Sequence, residues 1–155
     1  MNKINIGIIG FGFVGSSVAF GFSPQTGFDH ATIRIFDKNP SKSTHSLEEV
    51  LDESDFIFLS VPTPSNTDGS INLSILHSVL GQINSHGTKD GAVVLVRSTV
   101  VPGTTRGFKE EYDNVTFVFN PEFLTERSAK FDFINQARFI LGGDPEDTQK
   151  VADLF

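Results

Sequence analysis

The sequence predicts an α/β domain in which a doubly wound, mainly parallel sheet carries helices on both faces. Two observations lead to this fold class. Short apolar runs recur along the 155 residues and alternate with segments of helical periodicity. The runs are apolar at consecutive positions, as in strands that are buried on both faces, and strands of this kind separated by helices form parallel sheets.

Six strands and four clear helices are expected from this alternation. The strands are predicted at residues 4–9, 31–37, 56–61, 92–99, 115–120 and 138–142. Helices are predicted at residues 13–22, 47–53, 71–83 and 104–112, with a loop or helix near 123–133. Ser46 and Glu49 have the spacing of a capping box, and Asp144 precedes a proline suited to the first position of a last helix.

A glycine-rich turn joins the first strand to the first helix, with the sequence Gly10-Phe11-Gly12-Phe13-Val14-Gly15. Between a strand and a helix, G-x-G-x-x-G is typical of dinucleotide binding. Gly10 permits a tight turn, Gly12 lets backbone N–H groups approach a diphosphate, and Gly15 lets the helix pack closely on the strand. The alternative is that the glycines form a tight turn and nothing more.

Asp37 ends the second predicted strand, about twenty residues downstream, where a carboxylate can accept hydrogen bonds from the adenosine ribose. Its charge would repel the 2′-phosphate of NADP, so NAD is the predicted cofactor. Lys38 and Lys42 follow closely and would weaken this discrimination. Asp37 could also be a solvated strand end, but the order of strand, glycines, helix, strand and acid favours a Rossmann-type NAD-binding domain.

Composition excludes several other functions. Twelve basic residues against 19 acidic ones give a net charge of −7 without a basic cluster, which argues against a nucleic-acid-binding surface. The sequence contains no apolar run long enough to cross a membrane, and we expect a cytoplasmic protein. It has no cysteine, and its four histidines are not spaced with carboxylates, so no metal site is predicted.

The length fits one domain, and we expect residues 1–155 to form a single NAD-binding domain. Val151, Leu154 and Phe155 recur at helical spacing without a C-cap or polar tail after them. We therefore expect the N-terminal part of a longer polypeptide. The alternative is a short natural protein that pairs with a second chain.

Four further strings follow predicted strand ends, where ligands bind in open α/β sheets. They are Val61-Pro62-Thr63-Pro64, Ser98-Thr99-Val100-Val101-Pro102-Gly103-Thr104-Thr105, Asn120-Pro121-Glu122-Phe123-Leu124-Thr125-Glu126, and Asp132-Phe133 leading to Arg138-Phe139-Ile140-Leu141-Gly142-Gly143. With the glycine motif, and in this order, they resemble the NAD-binding domain of the UDP-glucose/GDP-mannose dehydrogenase family. The resemblance covers nearly the whole chain.

The resemblance implies oxidation of the C6 alcohol of a nucleotide sugar to a carboxylate, with two NAD and an enzyme-bound aldehyde, thiohemiacetal and thioester. UDP-glucose is the expected substrate, with GDP-mannose and UDP-N-acetylmannosamine as alternatives. The family's catalytic cysteine and partner lysine belong beyond Phe155. This stretch alone is therefore expected to be inactive without a C-terminal domain or partner chain, and a homo-oligomer is compatible with this.

The resemblance also assigns site residues. Its cofactor positions are Gly10, Phe11, Gly12, Phe13, Val14, Gly15, Asp37, Lys42, Val61, Pro62, Thr63, Pro64 and Ser98, with Glu126 near the nicotinamide. Thr99 and Glu122 match a pair that positions water and handles its proton, as thioester cleavage requires. From the residues alone, the two glutamates also fit the first turn of a helix, and Thr99 fits a β-branched strand end.

Two other functions stay open at this point. One is a different NAD-dependent dehydrogenase, such as a β-hydroxyacid dehydrogenase, against which the N-P-E-F-L-x-E string argues. The other is a stand-alone NAD-binding or regulatory module. The missing cysteine supports that module, whereas the presence of Thr99, Glu122 and Glu126 argues against it.

Overall fold

A computed structural model describes residues 3–155, in which five parallel strands form one sheet in the order β2-β1-β3-β4-β5. The strands are β1 (Ile4–Ile9), β2 (Ala31–Phe36), β3 (Phe56–Leu59), β4 (Val93–Val96) and β5 (Phe117–Phe119). Strand β4, between β3 and β5, is buried at every position, because helices cover both faces of the sheet. The predicted parallel sheet is confirmed.

Helices pack on both faces of the sheet, which confirms the doubly wound class. They are α1 (Phe13–Gly21), α2 (Leu47–Glu53), α3 (Ser74–His86), α4 (Thr104–Glu111), α5 (Ala129–Asn135) and α6 (Pro145–Leu154). On one face α2, α3 and α4 contribute Val50, Leu80 and Phe108 to the core. On the other face α1, α5 and α6 contribute apolar side chains such as Val18 and Phe133. Within residues 3–155, no helix combines the length and the apolar character that crossing a bilayer requires.

The helix boundaries follow local hydrogen bonds. The capping box before α2 forms as predicted: Glu49 N–H donates to Ser46 Oγ at 3.2 Å, and Ser46 N–H donates to Glu49 Oε2 at 2.7 Å. Helix α3 begins three residues later than predicted, because Ile71 forms an antiparallel bridge with Ser65 in the preceding loop. It also ends later than predicted, at His86, and is followed by Gly87, whose φ of 88° stops the helix.

The strand predicted at residues 138–142 does not form. Only Gly142 pairs with β5, through two antiparallel hydrogen bonds with Phe119 of 2.7 and 2.8 Å. Earlier in the segment, the carbonyl of Ile140 accepts a hydrogen bond from the Asn120 side chain instead of from a strand. Because β5 has only three residues, it offers few positions with which a further strand could pair.

The last helix starts where the sequence predicts, with Asp144 at the N-cap and Pro145 in the first turn. The Asp144 carboxylate does not cap the helix but pairs with Lys109 of α4. Val151 and Leu154 are buried against the sheet. The ion pair and these apolar contacts attach α6 to the rest of the domain.

Candidate functional site

The predicted site lies at the carboxyl edge of the sheet. Strand β1 lies between β2 and β3, so the direction of winding reverses there, and ligands of open α/β sheets bind at such a switch point. Two cavities of about 410 and 250 Å³ meet there and share Gly12, Ser60, Val61 and Pro62 in their walls. We call the larger one, next to Asp37, the β2-side cavity, and the smaller one, next to Thr99, the β4-side cavity.

The three glycines of the turn are constrained in different ways. Gly10 has a φ of 91°, and a Cβ there would lie 2.7 Å from the carbonyl oxygen of Ser60. A Cβ at Gly15 would lie 2.2 Å from the carbonyl oxygen of Gly10, so α1 packs on the turn only without a side chain. No atom lies within 4 Å of a Cβ built at Gly12. Gly12 therefore leaves open surface at the N-terminus of α1, where backbone N–H groups favour an anion.

Asp37 is fixed at the rim of the β2-side cavity. Its Oδ2 accepts the N–H of Phe11 at 2.7 Å, and its Oδ1 accepts the N–H of Asn39 at 2.8 Å. Burial opposes ionisation of Asp37, but these hydrogen bonds and the charges of Lys42 and Lys38 outweigh it and lower its pKa. The rim therefore carries a negative charge at neutral pH, directly beside the glycine turn.

The β2-side cavity combines apolar walls with a polar rim. Its inner walls are apolar and include Ile9, Phe36, Ile75 and Val79. The polar groups Asp37 and Lys42 lie at its rim. An apolar slot with a few placed polar groups is typical of a small-molecule site. Together with the open surface at Gly12, these residues fit a dinucleotide.

Two hydrogen bonds organise the β4-side cavity. Ser98 Oγ donates to the carbonyl of Val61 at 2.6 Å, and Thr63 Oγ1 donates to the carbonyl of Thr99 at 2.8 Å. They join the loops that follow β3 and β4. Glu122, from the loop after β5, lines the same cavity, and its Oε2 accepts the N–H of Leu124 at 2.7 Å. The structure thus brings Thr99 and Glu122 to one cavity.

Four predicted residues lie outside the walls of both cavities: Phe11 and Gly15, which belong to the glycine turn itself, and Pro64 and Glu126. Pro64 is exposed, and its carbonyl accepts the N–H of Asn72 at 2.8 Å. Glu126 begins the short 3₁₀ turn Glu126–Ser128 and lines a neighbouring cavity of about 370 Å³ that also contains Phe13. Their contact with a cofactor stays a prediction. Within residues 3–155, His, Asp and Glu side chains form no group of three that could hold a metal ion.

Sequence reasoning missed Arg97, which lines the β4-side cavity although it is only 2% exposed. Its Nη1 donates to Oδ1 of Asn120, and Nδ2 of Asn120 donates to the carbonyl of Ile140 at 3.0 Å. Burial lowers the pKa of Arg97 to about 10, and the charge of Glu122 acts in the opposite direction, so Arg97 is a cation at neutral pH. A charged residue inside a run of apolar residues was the available signal, because buried charges need a reason.

Comparison with known proteins identifies the family. Residues 36–155 match the family model described as the NAD-binding domain of the UDP-glucose/GDP-mannose dehydrogenase family. The chain belongs to this family. It is an NAD-binding domain of nucleotide-sugar dehydrogenases, and both the predicted family and the predicted cofactor are confirmed.

Individual relatives extend the likeness over the glycine turn. The domain is 35% identical to an uncharacterized protein of Methanocaldococcus jannaschii, with 98% of this chain and 20% of that protein covered. It is 27% identical to UDP-glucose 6-dehydrogenase AglM of Haloferax volcanii, over 98% of this chain and 44% of the relative. A solved UDP-glucose dehydrogenase from Pyrobaculum islandicum has a TM-score of 0.77 and 27% identity, with 99% of this chain and 44% of that chain covered. The chain therefore spans less than half the length of these relatives.

Proposed function

We propose that this dehydrogenase domain serves the NAD-dependent oxidation of the C6 alcohol of a nucleotide sugar, from UDP-glucose to UDP-glucuronate. The observation that carries the proposal is the meeting of two cavities at Gly12, one suited to adenosine and the other lined by Thr99 and Glu122. Two of the similar proteins are a UDP-glucose 6-dehydrogenase and a UDP-glucose dehydrogenase, which supports the choice of sugar.

In the proposed complex, different parts of NAD would occupy the two cavities. The β2-side cavity would hold the adenosine, with Asp37 accepting its ribose hydroxyls and disfavouring a 2′-phosphate. The N-terminus of α1 at Gly12 would hold the diphosphate. The β4-side cavity would hold the nicotinamide. When bound there, NAD⁺ supplies a hydride acceptor: the hydride leaves C6 with two electrons, the hydroxyl proton leaves to water, and the alcohol becomes an aldehyde.

Thr99 and Glu122 would act in the later hydrolytic step. The hydrogen bond from Leu124 N–H to Oε2 orients the Glu122 carboxylate, so that its other oxygen is available to take a proton from water. The Thr99 hydroxyl, at the exposed rim of the same cavity, would orient that water. The geometry therefore suits a general base and a positioning hydroxyl.

The remaining parts of the enzyme would come from outside these residues. The chain covers 44% of its UDP-glucose 6-dehydrogenase relative, and it has no cysteine to form a thioester. Phe123 and Phe131 are 65% and 66% exposed, and apolar surface of this kind suits a further domain or partner chain. We propose that residues 1–155 form the N-terminal cofactor domain of a longer cytoplasmic enzyme and are inactive alone.

A stand-alone NAD-binding or regulatory module is the second candidate. The absence of cysteine from the whole sequence favours it, because the covalent steps of the family need a thiolate. Such a module would bind NAD and would catalyse nothing with any partner segment.

Calorimetry and an activity assay separate these functions. The 155-residue chain would be titrated with NAD⁺ and NADP⁺, and NADH formation from UDP-glucose would be followed with and without the polypeptide encoded downstream of Phe155. GDP-mannose and UDP-N-acetylmannosamine serve as control substrates. We expect NAD⁺ binding by the chain alone and turnover only with the longer polypeptide. Turnover with neither would support the module, and the absence of heat at millimolar NAD⁺ would overturn both candidates.

A further inference from the structure

The least expected group near the site is the guanidinium of Arg97. It is buried, and within the described residues its one hydrogen-bond acceptor is the neutral amide of Asn120. Its Nε and Nη2 atoms have no hydrogen-bond partner anywhere in residues 3–155. Removing a cation from water is costly unless hydrogen bonds or opposite charges compensate. A role for this charge at the neighbouring cavity would account for an arginine at this position.

The position of the guanidinium is fixed by its surroundings. Arg97 follows β4 directly, and its N–H donates to the carbonyl of Leu59 at 3.0 Å. The guanidinium carbon lies 5.7 Å from the ring centroid of Phe133 on α5. Asn120, which accepts from the guanidinium, is itself held by its hydrogen bond to the carbonyl of Ile140. The wall of the β4-side cavity therefore contains a fixed cation.

We propose that Arg97 is a specificity-determining residue that makes the β4-side cavity favour the reduced form of the cofactor over the oxidised form. The inference rests on the proposed function, which places the nicotinamide in that cavity. The oxidised ring carries a positive charge and the reduced ring carries none. A fixed cation in a poorly solvated wall repels the first and leaves the second unaffected.

This repulsion would assist the proposed reaction. Before hydride transfer, the charge of Arg97 repels the positive charge of the nicotinamide ring. The repulsion would disappear when the hydride and its two electrons neutralise the ring. The sugar alcohol becomes an aldehyde and its hydroxyl proton goes to water, so the step balances. Glu122, which lines the same cavity, partly offsets Arg97 in both states. An interaction whose energy becomes more favourable from the oxidised to the reduced cofactor contributes to the reaction and not only to binding.

A purely structural role predicts a different result. Arg97 and Asn120 connect the ends of β4 and β5 with residues 138–142, so loss of the side chain could loosen the cavity. Loosening weakens both redox forms of the cofactor by similar factors. Loss of a charge changes their ratio. The ratio of the two dissociation constants therefore distinguishes electrostatic action from bracing.

The test measures NAD⁺ and NADH binding to the 155-residue chain by calorimetry at pH 7. In Arg97→Met we expect the ratio Kd(NADH)/Kd(NAD⁺) to rise about tenfold, in line with a charge acting through a partly screened wall. Arg97→Lys keeps the charge and should stay within about twofold of the wild type. An unchanged ratio in Arg97→Met, or equal changes of the ratio in both variants, would overturn the proposal and leave Arg97 with a structural role alone.

A second variant keeps the test decisive if Arg97→Met fails to fold. Glu122→Gln removes the opposite charge from the same cavity, at a half-buried position, and should lower the same ratio. A ratio that rises or does not move would contradict the electrostatic account. If the wild-type chain binds neither form, the proposed function fails together with this inference. If it binds both and no variant moves the ratio, only the inference about Arg97 fails.

Discussion

The two cavities differ in how their charged groups are held. At the β2-side cavity, both oxygens of Asp37 accept backbone N–H groups, one of them only two residues away. At the β4-side cavity, Arg97 and Glu122 come from separate loops, and two nitrogens of Arg97 have no partner within residues 3–155. The charge of Asp37 is therefore held by main-chain donors of two turns that follow adjacent strands. The β4-side cavity depends on charges that the fold brings together.

The glycine turn is the part of the site where single substitutions should have the largest effects. Gly15→Ala places a Cβ against the carbonyl of Gly10, a backbone atom that cannot move without displacing α1. We expect it to lower the free energy of unfolding by about 3 kcal/mol or more, as strong overpacking does.

Gly12→Val meets no atom within 4 Å and should leave the melting temperature nearly unchanged. It should nevertheless weaken NAD⁺ binding at least about 100-fold, or about 2.7 kcal/mol.

Thermal unfolding and calorimetry on the wild type, Gly15→Ala and Gly12→Val check these two predictions. Gly81→Ala is a matched control, since a Cβ there meets nothing within 4 Å and Gly81 lies on α3, outside the walls of both cavities. It should change neither property to a large extent. If Gly12→Val bound NAD⁺ like the wild type, the diphosphate would not lie at this turn.

At the β4-side cavity, Glu122→Gln tests catalysis in the longer polypeptide. The variant keeps the size of the side chain and its acceptor for Leu124 N–H, but it removes the basic oxygen. Steady-state kinetics should show kcat reduced about 100-fold or more, within the range of general-base catalysis, with a smaller change in cofactor affinity. Thr99→Val should have a lesser effect on kcat. Full activity of Glu122→Gln would refute the proposed water-activating role.

The sequence predicted that Gly10 and Asp37 lie together, because the order of elements determines their placement; their contact with a cofactor stays a prediction. The positions of Gly10 and Asp37 follow from the order of strand, turn, helix and strand, and the structure places both at one edge. A capping box such as that of Ser46 is a local signal. The starts of β1 and α2 were therefore predicted to the residue.

The predictions from sequence failed where tertiary contacts determine the local structure. Residues 138–142 have the apolar character of a strand, but the short β5 and the Asn120 side chain leave only one bridged pair. Ile71 has helical spacing, but it pairs with Ser65 in a loop. Arg97 could not be interpreted from its neighbours, because its acceptor is 23 residues away and its cavity is closed by a third loop.

Asp37, at the rim of the β2-side cavity, should determine the preference for NAD⁺ over NADP⁺. Asp37→Asn removes the charge and one of two accepted backbone hydrogen bonds. NAD⁺ affinity should fall about tenfold, since hydrogen bonds to a charged group contribute roughly 1.5–3 kcal/mol and part of this contribution remains. NADP⁺ affinity should fall less, or rise, because Lys38 and Lys42 stay beside the rim. Asp29→Asn, at an 85% exposed side chain, controls for the change in net charge.

Calorimetry with both cofactors measures this discrimination. An Asp37→Asn variant that kept the wild-type ratio of NAD⁺ to NADP⁺ affinity would show that the carboxylate does not face the ribose.

The opposite edge of the sheet should affect stability without affecting the cofactor. Asp55 precedes β3, pairs with Lys89, and accepts the N–H and the side-chain amide of Asn5 at 2.9 and 3.0 Å. Burial raises its pKa, but the hydrogen bonds from Lys89 and Asn5 outweigh burial and leave the pKa below the ordinary value of 3.8. The ionised form is thus favoured by folding. Its contribution to the free energy of unfolding is present above about pH 4 and lost as the pH falls through the lowered pKa.

Asp55→Asn should lower the free energy of unfolding by about 0.5–1 kcal/mol at pH 7, given solvent screening of a pair at this depth. In urea unfolding, the variant should lose less stability than the wild type between neutral and acidic pH. Its NAD⁺ affinity should stay within about twofold of the wild type, because the site occupies the carboxyl ends of the strands; a loss as large as that of Asp37→Asn would contradict the separation of the two edges.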